Sequence, residues 1–228
     1  MLRHLILVPT ELERRSLRPL LEGGDPGSRR IELCGFGMVA AAARTARLLA
    51  DLRPRRVMLV GIAGRFGDRI PLGSACMFSR VACHGIGVGA GSRFLPAASL
   101  GWEQWPGDPP DPTASVGDRI DLDPVPSPVA EHPRVPSEDL LLTVASAASD
   151  ADEARIRKAM YPHACAEDME GFAVALACRL ARVPCGIVRG ISNSAGDRDH
   201  SRWQTRDALA AAAGIVSRHL EQDLEQDP

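Results

Sequence analysis

The 228 residues include 27 basic and 29 acidic side chains, a formal charge of −2, so electrostatics gives no reason to expect a nucleic-acid or anionic-membrane partner. Hydrophobic residues make up 45% and charged residues 25%, the balance of a water-soluble chain with a sizeable core, and aromatics at only 4% leave Ala, Val, Leu and Ile to fill it. The opening apolar run stops at Pro9 and the charged Glu11, Glu13, Arg14 and Arg15. That is too short for a signal peptide or a membrane span, and a cytoplasmic location is expected.

In chain order, Leu2 to Val8 reads as a buried strand and Thr10 to Glu22 as an amphipathic helix, followed by a turn at Gly23-Gly24-Asp25-Pro26-Gly27. Arg30 to Leu33 is a short strand ending in Gly35-Phe36-Gly37, and Met38 to Leu52 is an Ala-rich helix stopped by Pro54. Val57 to Val60 has the apolar run of a central parallel strand and leads into Gly61-Ile62-Ala63-Gly64, read as a strand-to-loop turn. One strand-like stretch runs from Gly73 to about Cys83, and a Gly-rich loop continues through Trp102 and Trp105. Nine of the 18 prolines lie between Pro106 and Pro136, a density that predicts a long surface excursion with no packed element.

Beyond it, Leu140 to Ser146 reads as a strand, Asp150 to Met160 as a helix and Cys165 to Asp168 as a very short strand. Met169 to Leu180 is a helix apolar nearly all round, hence buried; Pro184 to Ile191 is a last strand and Trp203 to Glu221 a last helix. Strands alternating with helices predict a largely parallel sheet covered on both faces, as one domain over residues 1–228 with the proline-rich loop at about 106–136. None of the six cysteines has CxxC spacing, so buried free thiols are expected rather than a metal site.

Four segments leave a strand and turn abruptly into Gly or polar sequence: residues 9–13, 61–64, 167–170 and 189–193. Ligands of open α/β sheets bind at the carboxyl ends of strands, so these tips are expected to form one pocket. Gly61-Ile62-Ala63-Gly64 lacks both the dinucleotide and the phosphate-loop glycine spacing. Glu167, Asp168 and Glu170 place three carboxylates ahead of a buried helix, and a buried acid needs partners such as sugar hydroxyls. His84, His163, His200 and Trp203 are expected to be surface or packing residues.

Together these segments, with Cys34-Gly35-Phe36-Gly37-Met38 and Asp168-Met169-Glu170-Gly171-Phe172, resemble the nucleoside phosphorylase and nucleosidase superfamily, in particular its methylthioadenosine/adenosylhomocysteine nucleosidase branch. Pro9-Thr10-Glu11-Leu12-Glu13, the loop from Gly87 to Pro96 with Leu100-Gly101-Trp102, and Ser192-Asn193 before Gly196-Asp197-Arg198-Asp199 are similar to the futalosine hydrolase family, which releases hypoxanthine from futalosine in menaquinone biosynthesis. The resemblance implies a three-layer α/β/α fold with a mixed, largely parallel sheet, a small nucleoside as partner, no metal or organic cofactor, and a homodimer or higher homo-oligomer. It implies that Glu13 activates water, that Glu170 grips the ribose hydroxyls with Met169 against the sugar, and that Ala63, Gly64 and Phe94 line the pocket. Asn193 would then bond the leaving base. A neutral amide there can donate to N7 or a 6-oxo group, which suits hypoxanthine better than adenine.

Four alternatives stay open on the residues alone, one of them a catalytically silent nucleoside-binding protein on the same fold, against which Glu13 and Glu170 argue. Glu11 could replace Glu13. A base with a 6-amino group could replace hypoxanthine. A phosphorylase would need a cationic phosphate site, for which Arg65 and Arg44 are available.

Overall fold

The computed structural model describes residues 2–22, 27–108, 115–122 and 140–226. The elements are β1 (His4–Val8), α1 (Glu11–Leu21), β2 (Arg29–Leu33), α2 (Met38–Leu52), β3 (Arg56–Arg65), β4 (Ala75–Phe78), β5 (Arg80–His84), β6 (Gly87–Val88), β7 (Leu95–Pro96), β8 (Arg119–Asp121), β9 (Leu140–Val144), α3 (Ala151–Met160), β10 (Ala164–Asp168), α4 (Gly171–Leu180), β11 (Cys185–Ser194) and α5 (Thr205–Gln226). The turn expected at 23–26 and residues 109–114 and 123–136 of the proline-rich stretch lie outside the described residues.

The main sheet runs β2-β1-β3-β10-β9-β5-β8, with β11 on β3 and β4 on β11. Its pairs are parallel except β10 with β3, β11 with β4, and β5 with β8. Period-two alternation sorts the side chains into two cores. Leu5, Leu7, Leu59 and Ile187 pack with Phe172 and Val174 of α4 and Leu48 of α2 on one face. Ile6, Val8, Met58 and Val188 pack with Leu17 of α1 and Leu209 and Val216 of α5 on the other. Helix α3 covers the β9 side of that second face through Ala154. This is the mixed, mostly parallel three-layer fold expected. No helix among the described residues is long and apolar enough to cross a membrane.

Several elements depart from the sequence reading. The glycine segment 61–64 is no turn: β3 continues through it to Arg65, because β11 bonds it from Val57 to Arg65. The stretch from Gly73 to Cys83 is two strands broken at Ser79, and they serve opposite halves of the sheet, β4 on β11 and β5 on β9. The proline-rich stretch does hold a packed element: β8 pairs with β5, and Val116, Asp118, Ile120 and Leu122 are buried. The stretch from Ser115 to Leu122 contains no proline, so its backbone N–H groups were available to the sheet. Helix α4 starts at Gly171, so Glu170 sits at its N-cap position.

The site follows from an irregularity in the sheet. Along one edge β3 bonds β11 throughout. Its other edge is shared: β1 bonds residues 56–59, while β10 arrives antiparallel, with Ala166 and Glu167 opposite Arg65 and Gly64. The carboxyl ends of β1 and β10 therefore face one another across β3 residues 60–63.

Candidate active site

Helix α1 begins where β1 ends, and a capping box starts it: Glu13 N donates to Thr10 Oγ1 while the Glu13 carboxylate accepts from the Thr10 N–H, 3.0 Å, and hydroxyl, 2.5 Å. This cap fixes the Glu13 side chain on the inner side of the first turn. Its other oxygen, Oε1, accepts from Ile62 N at 3.0 Å, inside the gap between β1 and β10. Glu13 is buried, whereas Glu11 points outward into ion pairs with Arg14 and Arg15. The structure thus separates the two acids and puts Glu13 in the gap.

From the opposite side come Asp168 and Glu170. Glu170 is buried, accepts from Gly37 N at 2.9 Å and from Arg189 Nη2 at 3.1 Å, and carries a pKa pushed up to about 7. Burial is the main cause; Arg189 and the Gly37 N–H pull it down, while Asp168 and Glu13 push it up. Asp168 Oδ2 accepts from Arg189 Nε at 3.0 Å and Nη2 at 2.5 Å. Burial opposes the charge on Arg189, but Asp168, Glu170 and Glu13 together raise its pKa, so it stays a cation.

Arg189 was missed as a functional residue in the sequence, although a signal was present. It lies on β11 between Ile187 and Ile191, on one face of a strand that is otherwise apolar inward. A cation at such a position demands buried carboxylates, and two stand two residues apart at 168 and 170. Its side chain has 0% exposure, and Nη1 has no hydrogen-bond partner among the described residues. Gly61 explains how Nη1 comes so close to the β3 backbone. A Cβ on Gly61 would overlap Arg189 Nη1 and stand 2.7 Å from Glu13 Oε1. Glycine is what lets both groups converge on one small spot above the β3 backbone. Cys34, at the end of β2, also faces this charge cluster, and burial pushes its thiol up to about 12, so it remains an unreactive neutral neighbour.

Asn193 lies beside Gly64: a Cβ there would stand 3.4 Å from Asn193 Nδ2. Its Oδ1 accepts from Ser192 Oγ at 2.8 Å, and Nδ2 donates to Ser194 O at 2.9 Å and Asp197 O at 3.4 Å. Ala63 is buried in the core, and its carbonyl accepts from Ser192 Oγ at 3.4 Å. Met169 is half-buried against the cluster that includes Phe66, Tyr161 and Ala195. Phe94 packs edge-on to His84, 4.5 Å between ring centres, with Tyr161 on the other side of His84. Burial, then the charge of Arg157, pushes the His84 pKa down, consistent with a packing role. The structure therefore gathers Glu13, Gly61, Glu170 and Arg189 at one point, sets Asn193 and Gly64 beside one another, and holds Phe94 against His84 at the end of β5. His163 and His200 are exposed, and His200 stacks on Trp203.

The two cations considered for phosphate lie elsewhere. Arg65 donates to Asp68 O, Ile70 O and Ser194 Oγ, and Arg44 pairs with Glu32 on the surface of α2. Arg189 is matched by more negative charge than its own.

The chain as a whole has relatives among known proteins. The model of the phosphorylase superfamily matches residues 27–221, and the chain belongs to that superfamily. Two relatives place it with the superfamily's N-glycosyl hydrolases. A futalosine hydrolase of Thermus thermophilus is 31% identical over 96% of this chain and 96% of its own, and one of Streptomyces coelicolor is 30% identical over 81% of this chain and 75% of its own. The solved futalosine hydrolase of Helicobacter pylori shares the fold at a TM-score of 0.73, with 14% identity over 97% of this chain and 98% of that one.

Proposed function

We propose that the enzyme hydrolyses the N-ribosidic bond of futalosine, releasing hypoxanthine and dehypoxanthine futalosine in menaquinone biosynthesis. The observation that carries the hydrolytic half is the convergence of Glu13 Oε1 and the unpartnered Arg189 Nη1 over Gly61. One acceptor and one donor with no side chain between them suit a single water, which Arg189 would orient and Glu13 would deprotonate. Phosphate is disfavoured by the same geometry, since Glu13, Asp168 and Glu170 surround one arginine that they already outnumber.

Glu170 accepts the ribose 2′- and 3′-hydroxyls, with Met169 against the sugar. As the glycosidic bond breaks, the ribosyl centre turns electron-poor and the nearby carboxylates favour that charge. Charge also builds on the base, and the Asn193 amide stabilises it by donating to N7 or the 6-oxo group. The longer of its two present bonds, to Asp197 O at 3.4 Å, is the one the base would replace. The futalosine hydrolase relatives support the substrate, as does the amide at 193 in place of a carboxylate. The reading includes a cytoplasmic homodimer or higher homo-oligomer; the exposed apolar Leu12, Phe36 and Val39 support the association of subunits.

The test is incubation with futalosine, with and without phosphate, followed by mass spectrometry. Free hypoxanthine independent of phosphate is expected. Phosphate-dependent turnover yielding the 1-phosphate of dehypoxanthine futalosine, or a preference for releasing adenine from methylthioadenosine, would overturn it.

A further inference from the structure

The start of helix α4 poses a problem of local physics. The first N–H groups of a helix need acceptors, and the N-cap side chain ordinarily supplies one. Here the N-cap residue is Glu170, and its carboxylate caps nothing on α4. The orphan donors go to two other residues. Gly171 N donates to Asp168 Oδ2 at 2.8 Å, and Phe172 N donates to Thr143 Oγ1 at 2.7 Å. The Thr143 hydroxyl in turn donates to Asp168 Oδ1 at 2.6 Å. All four groups are buried.

Asp168 therefore holds two things at once. One is the N-terminus of α4, and the other is the Arg189 guanidinium, fixed through Nε and Nη2 so that Nη1 is left toward Gly61. Gly171 belongs to the same fit: a Cβ on it would stand 2.8 Å from Asp168 Oδ2 and 3.1 Å from Thr143 Oγ1.

We infer that Asp168 and Thr143 are positioning residues: by capping α4 in place of Glu170 and pinning Arg189, they leave the Glu170 carboxylate and Arg189 Nη1 available for the sugar and the water. This rests on the hydrolytic reading above. Neither residue touches the reacting atoms; both act through Glu170 and Arg189.

The groups facing Glu170 are Arg189 on β11, Asp168 on β10, Glu13 on α1, the Cys34 thiol after β2 and the Gly37 N–H at the start of α2. Removing the Asp168 charge takes away a neighbour that raises the Glu170 pKa and leaves Arg189 to Glu170 and Glu13. The acid limb of kcat/KM is then expected to move to lower pH in Asp168→Asn, with kcat reduced on the order of 100-fold, the effect of displacing a reacting group by about 1 Å. A residue with a purely structural role would lower the melting temperature and leave that limb in place.

Asp168→Asn can fail to fold, so Thr143 supplies the second arm. Thr143→Val removes the hydroxyl at nearly constant volume, and kcat/KM per folded enzyme is expected to fall about 10-fold or more, whereas Thr143→Ser keeps the hydroxyl and stays within about 3-fold of the native enzyme. The inference is overturned if Thr143→Val matches Thr143→Ser in kcat/KM, or if folded Asp168→Asn keeps the native kcat and acid limb. Failure of the underlying reading looks different: the native enzyme itself would release no hypoxanthine without phosphate.

Discussion

Two arginines are buried among the described residues, each paired with carboxylates, and they do opposite things with them. Arg157 on α3 pairs with Glu167 at 2.8 Å and with Glu153, and Arg189 on β11 pairs with Asp168 and Glu170. Around Arg157 each carboxylate also serves the scaffold through its other oxygen: Glu167 Oε1 accepts from Ala148 N, and Glu153 Oε2 from Ser149 N and Oγ. That cluster ties α3 to the loop after β9, and Glu153 is partly open to solvent. Around Arg189 the side chains of Asp168, Glu170 and Glu13 are buried, and Glu13 Oε1 and Nη1 converge over Gly61. Adjacent residues on β10, Glu167 and Asp168, anchor the two clusters. Each arginine keeps one donor unpartnered among the described residues, Arg157 Nε and Arg189 Nη1, so what sets the second cluster apart is that its free donor converges with the Glu13 carboxylate over Gly61.

The comparison can be broken most directly at the gap. Glu13→Gln should lower kcat by about 1000-fold, within the range of a lost general base, with KM little changed in steady-state hypoxanthine release. Gly61→Ala should do comparable damage, since its Cβ would overlap Arg189 Nη1 and push against Glu13 Oε1. Retained activity in either variant would show that the water lies elsewhere. Next in size is Glu170. As a carboxylate with a raised pKa, it is charged above about 7 and progressively protonated below it, so kcat/KM should fall as pH drops through that value. Glu170→Gln should lower kcat/KM about 100-fold and abolish that limb. A pH profile flat down to pH 5 would separate Glu170 from substrate binding.

Smaller effects sharpen the contrast. Asn193→Asp should shift the ratio of hypoxanthine to adenine release toward adenine by about 100-fold, because a site built for one hydrogen-bond pattern leaves a polar group unpaired with the other. An unchanged ratio would remove Asn193 from base recognition. Arg157→Met should have the least effect on chemistry. Stranding Glu167 is expected to cost about 3 kcal/mol of stability, visible in denaturant melts, while kcat of the folded enzyme stays within about 2-fold. A kcat loss as large as that of Glu170→Gln would mean the two clusters are not distinct.

Much of this was legible in the chain. Uninterrupted runs such as Leu5 to Val8 and Val57 to Val60 announce buried strands, and the strand-end segments at 9–13, 61–64, 167–170 and 189–193 do meet. Pairing partners were not legible, since local pattern carries no information on which edge a strand joins. Hence the antiparallel arrival of β10 on β3 could not be foreseen, and residues 61–64 were expected to turn, when long-range pairing with β11 keeps them extended. Glu11 and Glu13 became separable only through the capping box, which depends on where α1 starts to within one residue. The roles of Asp168 and Thr143 were invisible for the same reason: they depend on α4 starting at Gly171 rather than Met169.

The head-on approach of β1 and β10 along β3 also bears on how the active protein forms. Groups within the gap come from residues 13, 37, 61, 170 and 189, so no fragment shorter than residues 13–189 contains the site. Helices such as α2 can form on local interactions, but the gap exists only after strands distant in sequence have docked on β3, which is the slow part of assembling non-local topology. Catalytic competence should therefore return last on refolding, behind helical circular dichroism. Enzymatic turnover then becomes a more demanding measure of the native state than any signal from its secondary structure.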